Sequence, residues 1–119
     1  MAYVDGFLLP VPRKNLKAYQ QLSRKAGKVW REHGALDYKE CVADDIKVKG
    51  TAPFAKAVGT KAGETVIFAY IVYKSRAHRD SVNKKVMKDP RIAAQMTGKA
   101  MPFDVKRMMY GGFKVVVDE

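Results

Sequence analysis

The chain has 119 residues, one cysteine and a formal charge of +11, with 47% hydrophobic residues. That length fits one domain with a single core. One cysteine excludes an internal disulfide and a cysteine-based metal cage. The charge admits nucleic acid, an anionic ligand or an acidic partner, and by itself selects none of them.

Tyr3 to Val11 reads as a strand of aromatic and branched residues, closed by Pro10 and Pro12. Arg13 to His33 reads as a helix stopped by Gly34, a residue that tolerates the left-handed backbone past a helix end. Within it Lys14, Lys17, Arg24, Lys28 and Arg31 recur opposite Leu16, Tyr19, Ala26, Val29 and Trp30. That spacing describes the solvated side of an amphipathic helix, with a polyanion site as the alternative. Ala35 to Ala43 alternates Leu36, Tyr38 and Val42 against Asp37 and Lys39, as an edge strand with one wet side does.

The twenty residues from Asp44 to Gly63 are long for a connection between neighbouring strands. Phe54, Ala57 and Val58 lead us to expect an extra strand or flap there, serving as a lid over a pocket or as an extension of a subunit contact. Glu64 to Tyr73 is a strand apolar on both faces, and Ser75 is placed to cap a helix reaching about Lys88. Asp89-Pro90 opens a further short helix, since proline suits the first helical position. The last strand is expected from about Lys106, with Met108, Tyr110 and Val116 toward one face and Met109, Phe113 and Val115 toward the other. Gly111-Gly112 invites a bulge between them.

The order β-α-β-β-α-β is the ferredoxin-like, split βαβ arrangement, an α+β fold with one antiparallel sheet and its helices on one face. In the usual strand order 4-1-3-2 the two doubly apolar strands are central and the charged, alternating strand is an edge. The face without helices then stays apolar and uncovered, and a patch of that kind marks an interaction surface. A second copy of the chain, packed sheet to sheet as a dimeric α+β barrel, is the expected partner.

Chemistry is less legible. His33 and His78 lack a ligand-like spacing, so no metal and no cofactor is expected. Cys41 reads as a small buried apolar group. Asp44-Asp45 reads as turn and cap chemistry. Five residues stand out as a candidate ligand site: Asp5, Arg79, Asn83, Asp104 and Arg107. Asp5 is a carboxylate inside a central apolar strand, which is costly unless paired, and Arg107 on the neighbouring strand is its expected partner. Arg79, Asp80 and Asn83 share a helical face by spacing. Asp104, Lys106 and Arg107 form a corner suited either to an ion-paired loop or to an anion.

Several blocks together resemble the YbaA-like bacterial family, which is of unknown function and assigned to the dimeric α+β barrel superfamily. They are Tyr-Val-Asp-Gly-Phe at 3–7, Gly34-Ala35-Leu36, Glu40-Cys41, Asp44-Asp45, Tyr73-x-Ser75, Arg79-Asp80, Asn83, Met87, Asp89-Pro90-Arg91 and the Met101 to Phe113 run. Val42-Ala43 and the loop around Lys47–Pro53 depart from it. The resemblance spans nearly the full length and implies the fold and the homodimer, with no established reaction.

The expected function is therefore binding of a small anionic or aromatic ligand in the cleft between sheet and helices, with cofactor-independent catalysis left open. An RNA-binding module using the basic surface is the alternative; the order of elements matches RNA-recognition domains, but their Lys/Arg-Gly-Phe/Tyr run is missing from the third strand. The start, Met-Ala-Tyr-Val-Asp-Gly, lacks the basic-then-apolar pattern of a secretory signal, and no apolar run approaches a membrane span. A cytoplasmic protein without a membrane partner is expected.

Overall fold

In the computed structural model, which describes residues 1–96 and 101–119, every strand joins one antiparallel sheet. The strands are β1 (Tyr3–Pro12), β2 (Asp37–Val42), β3 (Glu64–Tyr73) and β4 (Met109–Lys114), in the order β2-β3-β1-β4. The helices are α1 (Leu16–Glu32), α2 (Phe54–Val58), α3 (Arg76–Met87) and α4 (Pro90–Met96). The ferredoxin-like order and the central placement of the two apolar strands are as expected. Among the described residues no helix is long and apolar enough to cross a membrane.

Local chemistry accounts for the boundaries. Ser75 Oγ accepts the His78 N–H at 3.1 Å and starts α3. Gly34 follows α1 with φ of 116°, a backbone that a side chain would strain. Pro10 and Pro12 sit in a central strand because β4 pairs with β1 only as far as Leu8, opposite Met109. Beyond Leu8 the chain has one strand neighbour, and proline is tolerated at such an edge.

The core lies between the sheet and the α1–α3–α4 layer. Tyr3, Val29, Ile71, Tyr73, Val82, Val86 and Ile92 form one buried cluster, and Leu9, Val11, Tyr19, Ile67 and Ala69 a second. Each large apolar side chain so buried contributes about 1.5–3 kcal/mol relative to exposure. On the opposite face Phe68 is 47% and Phe113 62% exposed, near Tyr70 and Val72.

Four expectations need correction. The 44–63 connection forms the helix α2 rather than a strand; Pro53 precedes it, and Gly59, at φ 73°, ends it. The last strand begins at Met109, because Val105–Arg107 close a 3-10 turn, and it ends at Lys114, so Val115 and Val116 lie beyond it. Pairing runs without a bulge from Leu8 opposite Met109 to Tyr3 opposite Lys114. The glycines serve close approach instead: the Phe113 ring lies over Gly6, and a side chain at Gly112 would meet the Tyr3 phenol. Cys41 is exposed, since it pairs with Phe68 on the helix-free side of the sheet.

Candidate functional site

Two carboxylates point into the layer between sheet and helices. Asp5 alternates inward from β1 and is 1% exposed. From α3, Arg79 Nη1 donates to Asp5 Oδ1 at 2.7 Å and to the Tyr110 hydroxyl oxygen at 2.9 Å. Tyr110 in turn donates to Asp5 Oδ2 at 3.1 Å. Asn83 lies one turn beyond Arg79 on the same helix face. Its Oδ1 accepts from Trp30 Nε1 at 3.1 Å and from the Tyr73 hydroxyl at 3.2 Å. The guanidinium of Arg79 also stacks over the Tyr3 ring, 5.1 Å from its centroid. Burial pushes the Asp5 carboxyl above its ordinary value, while Arg79 and the hydrogen bonds pull it back.

Three of the five predicted residues, Asp5, Arg79 and Asn83, are thus brought together. Asp104 and Arg107 are not. Arg107 grips Glu64 with two nitrogens, at 2.7 and 2.8 Å, and the Gly59 carbonyl at 2.8 Å. The expected Asp5–Arg107 pair does not form, because Arg107 lies in the turn before β4 whereas Asp5 stands opposite Gly112 near that strand's far end. The anion in the Arg107 corner is a carboxylate of the same chain, and Arg107 with the Lys61 N–H lowers Glu64 to about 2. Asp104 is exposed and caps its own turn, accepting the Lys106 N–H at 3.0 Å.

The second carboxylate, Glu40, was not singled out from the sequence. It projects from β2 opposite Ala69, toward α1. Tyr19 donates to Oε1 at 2.7 Å and Tyr38 to Oε2 at 2.9 Å. Burial, and then the Glu40 charge, raise both phenols well above the ordinary tyrosine range. Gly27 lets α1 come this close: a Cβ there would lie 2.8 Å from the Tyr38 ring. The only sequence signal was Glu40's alternation with Lys39, easily read as a wet strand face.

Beside Glu40 lies a cavity of about 150 Å³, walled by Phe7, Leu9, Leu22, Ala26, Ala69, Ile71, Phe103 and Met108, with Tyr19, Ser23, Tyr38 and Glu40 at its polar side. Small residues create it. Ala69 stands between Ile67 and Ile71 on β3, and Ser23 and Ala26 face it from α1, so three positions lack the bulk that would close the layer. Interiors ordinarily pack without voids of this size. No residue of the 44–63 connection lines it, so that segment is not its lid.

Sheet order, helix layer and cleft together define a ferredoxin-like α+β domain. Solved structures share that fold: the "Putative antibiotic biosynthesis monooxygenase from Nitrosomonas europaea", at TM-score 0.63 and 12% identity, covers 97% of this chain and 90% of its own. A "dimeric ferredoxin-like protein" from an uncultured marine organism, at TM-score 0.55 and 12% identity, covers 100% of both chains. Residues 2–105 match the family described as "Protein of unknown function (DUF1428)", and the chain belongs to that family. It is 43% identical over 119 residues, all of both chains, to "Uncharacterized protein YbaA" of Escherichia coli K12.

Proposed function

We propose that this protein is a homodimeric small-molecule binder. Two protomers meet through the helix-free faces of their sheets, and each holds a small, neutral, largely apolar ligand between its own sheet and α1. The observation that carries the binding reading is the cavity of about 150 Å³ between the sheet and α1, walled by apolar side chains with Glu40 at its polar side. A void of that order is large enough for a single aromatic ring. Exposed Phe68, Met109 and Phe113 support the dimer, since a contiguous apolar face on one protomer is costly to leave in water. The fold neighbour described as dimeric supports it too. An anionic ligand, expected from the composition, suits this cleft poorly: Glu40 occupies its polar side, and Lys39 is held by Asp37. The same fold hosts many chemistries, so the reading stops at binding.

Two measurements test it. Light scattering at micromolar concentration is expected to give twice the chain mass, with a buried interface of roughly 1,600 Å² in total. Phe68→Asp is expected to yield a folded monomer. A wild-type monomer that binds RNA tightly at physiological salt would replace the dimer with the RNA alternative. For the cavity, titration with toluene followed by NMR should shift the Ile71 resonances in the wild type and leave them unmoved in Ala69→Leu.

A further inference from the structure

We infer that this cavity selects a ligand carrying a hydrogen-bond donor: a neutral single-ring compound with a hydroxyl or amino group, received by Glu40. The inference rests on the binding reading above and adds a chemical class to it. Its basis is an account of donors and acceptors at the polar side. A carboxylate offers about four acceptor positions and no donor. Tyr19 and Tyr38 fill two of these positions, at 2.7 and 2.9 Å, and in doing so commit both of their hydroxyl hydrogens. Ser23 lines the same side of the cavity from α1. The group therefore keeps unused acceptor capacity beside the cavity, while its phenolic donors are spent.

A ring bearing –OH or –NH₂ supplies the missing donor. A ring bearing only an acceptor sets lone pair against lone pair, and an anion meets the Glu40 charge. A polar group left without its complement in a desolvated site loses most of the binding that its ring would provide. The volume of the cavity sets the size of the part received, about one ring. Gln95 from α4 also lines the cavity, but it belongs to neither element of the Glu40 group.

The test is a calorimetric and NMR titration of the full-length protein with toluene, phenol, aniline, anisole and benzoate. Phenol and aniline are expected to bind at least tenfold more tightly than toluene, anisole no better than toluene, and benzoate not measurably. Glu40→Gln should bring phenol down to the level of toluene. Tyr19→Phe releases an acceptor position on Glu40 and should leave phenol binding intact or tighter, which guards against a Glu40 variant that fails to fold. If toluene binds as well as phenol, the donor selectivity is wrong and the cavity reading stands. Anisole binding as tightly as phenol, or loss of phenol binding in Tyr19→Phe, likewise overturns the selectivity. If no probe binds, toluene included, both readings fall.

Discussion

Asp5 and Glu40 lie on the helix side of the same sheet, the first held by one tyrosine hydroxyl and the second by two, yet among the described residues only Asp5 has a cation. Around Asp5 the chain supplies a guanidinium and a phenol, so the charge is neutralised and each oxygen is engaged from within. Around Glu40 the described residues supply two phenols, and a cavity lies beside it. The first arrangement is a lock between β1, β4 and α3. The second is a lock with an open side. A charge in an apolar strand draws the eye as a reactive group, but complete satisfaction by neighbours is what a structural charge requires. The candidate for binding is the carboxylate whose surroundings leave something unfilled.

The largest way to break this comparison is to remove the cation. Arg79→Ala leaves Asp5 buried and unpaired, and urea denaturation is expected to show a loss of about 3–5 kcal/mol. Replacing Asp5 and Arg79 together by leucine should cost less than Arg79→Ala alone. A loss for Arg79→Ala no larger than that of an average surface substitution would mean that Asp5 does not depend on it.

Close packing offers a second, smaller comparison. Gly112→Ala places a methyl against the Tyr3 phenol, which lies beneath Arg79, and is expected to cost about 1–3 kcal/mol without altering probe binding. Gly27→Ala should do the converse. Its gain in helix propensity, about 1 kcal/mol, is offset by displacement of the Tyr38 ring, and phenol affinity is expected to fall. Smaller still, Tyr38→Phe removes one hydrogen bond to Glu40 and should cost about 1 kcal/mol by the same denaturation measurement.

Titration sharpens the contrast between a buried and a rim carboxylate. The folded chain raises Asp5 above its ordinary 3.8, so it retains a proton that the unfolded chain has released. The resulting contribution to stability is full below about 3.8 and fades as pH rises through the raised value. Glu64 behaves oppositely: held at about 2, it contributes fully above 4.5 and loses that contribution as pH falls toward 2. Denaturation midpoints followed from pH 7 to pH 2 should therefore lose the first slope in Asp5→Asn and the second in Glu64→Gln.

Much of the fold was legible because it is written in local chemistry. Pro10 and Pro12, Gly34, the Ser75 cap and Pro90 mark element ends through backbone preferences that need no distant partner. Apolar residues on both sides of 64–73 identify a central strand, because only a central strand can cover both. The 44–63 helix was missed because a five-residue helix offers too little periodicity to separate it from a strand. Arg79 and Asn83 were legible as one face, since their spacing is a helical turn.

What sequence alone determined, then, was the β-α-β-β-α-β order of the main elements, the central strands and the apolar helix-free face. Tertiary structure decided which cation meets Asp5, that Arg107 turns to Glu64, and that Glu40 with two tyrosines borders a cavity. Propensity and periodicity act over a few residues and survive in any context. Ion pairing and empty volume depend on register and helix placement between residues far apart in the chain, such as Asp5 and Arg79, or Glu40, Ala69 and Ser23. Those distances exist only once the layers have packed.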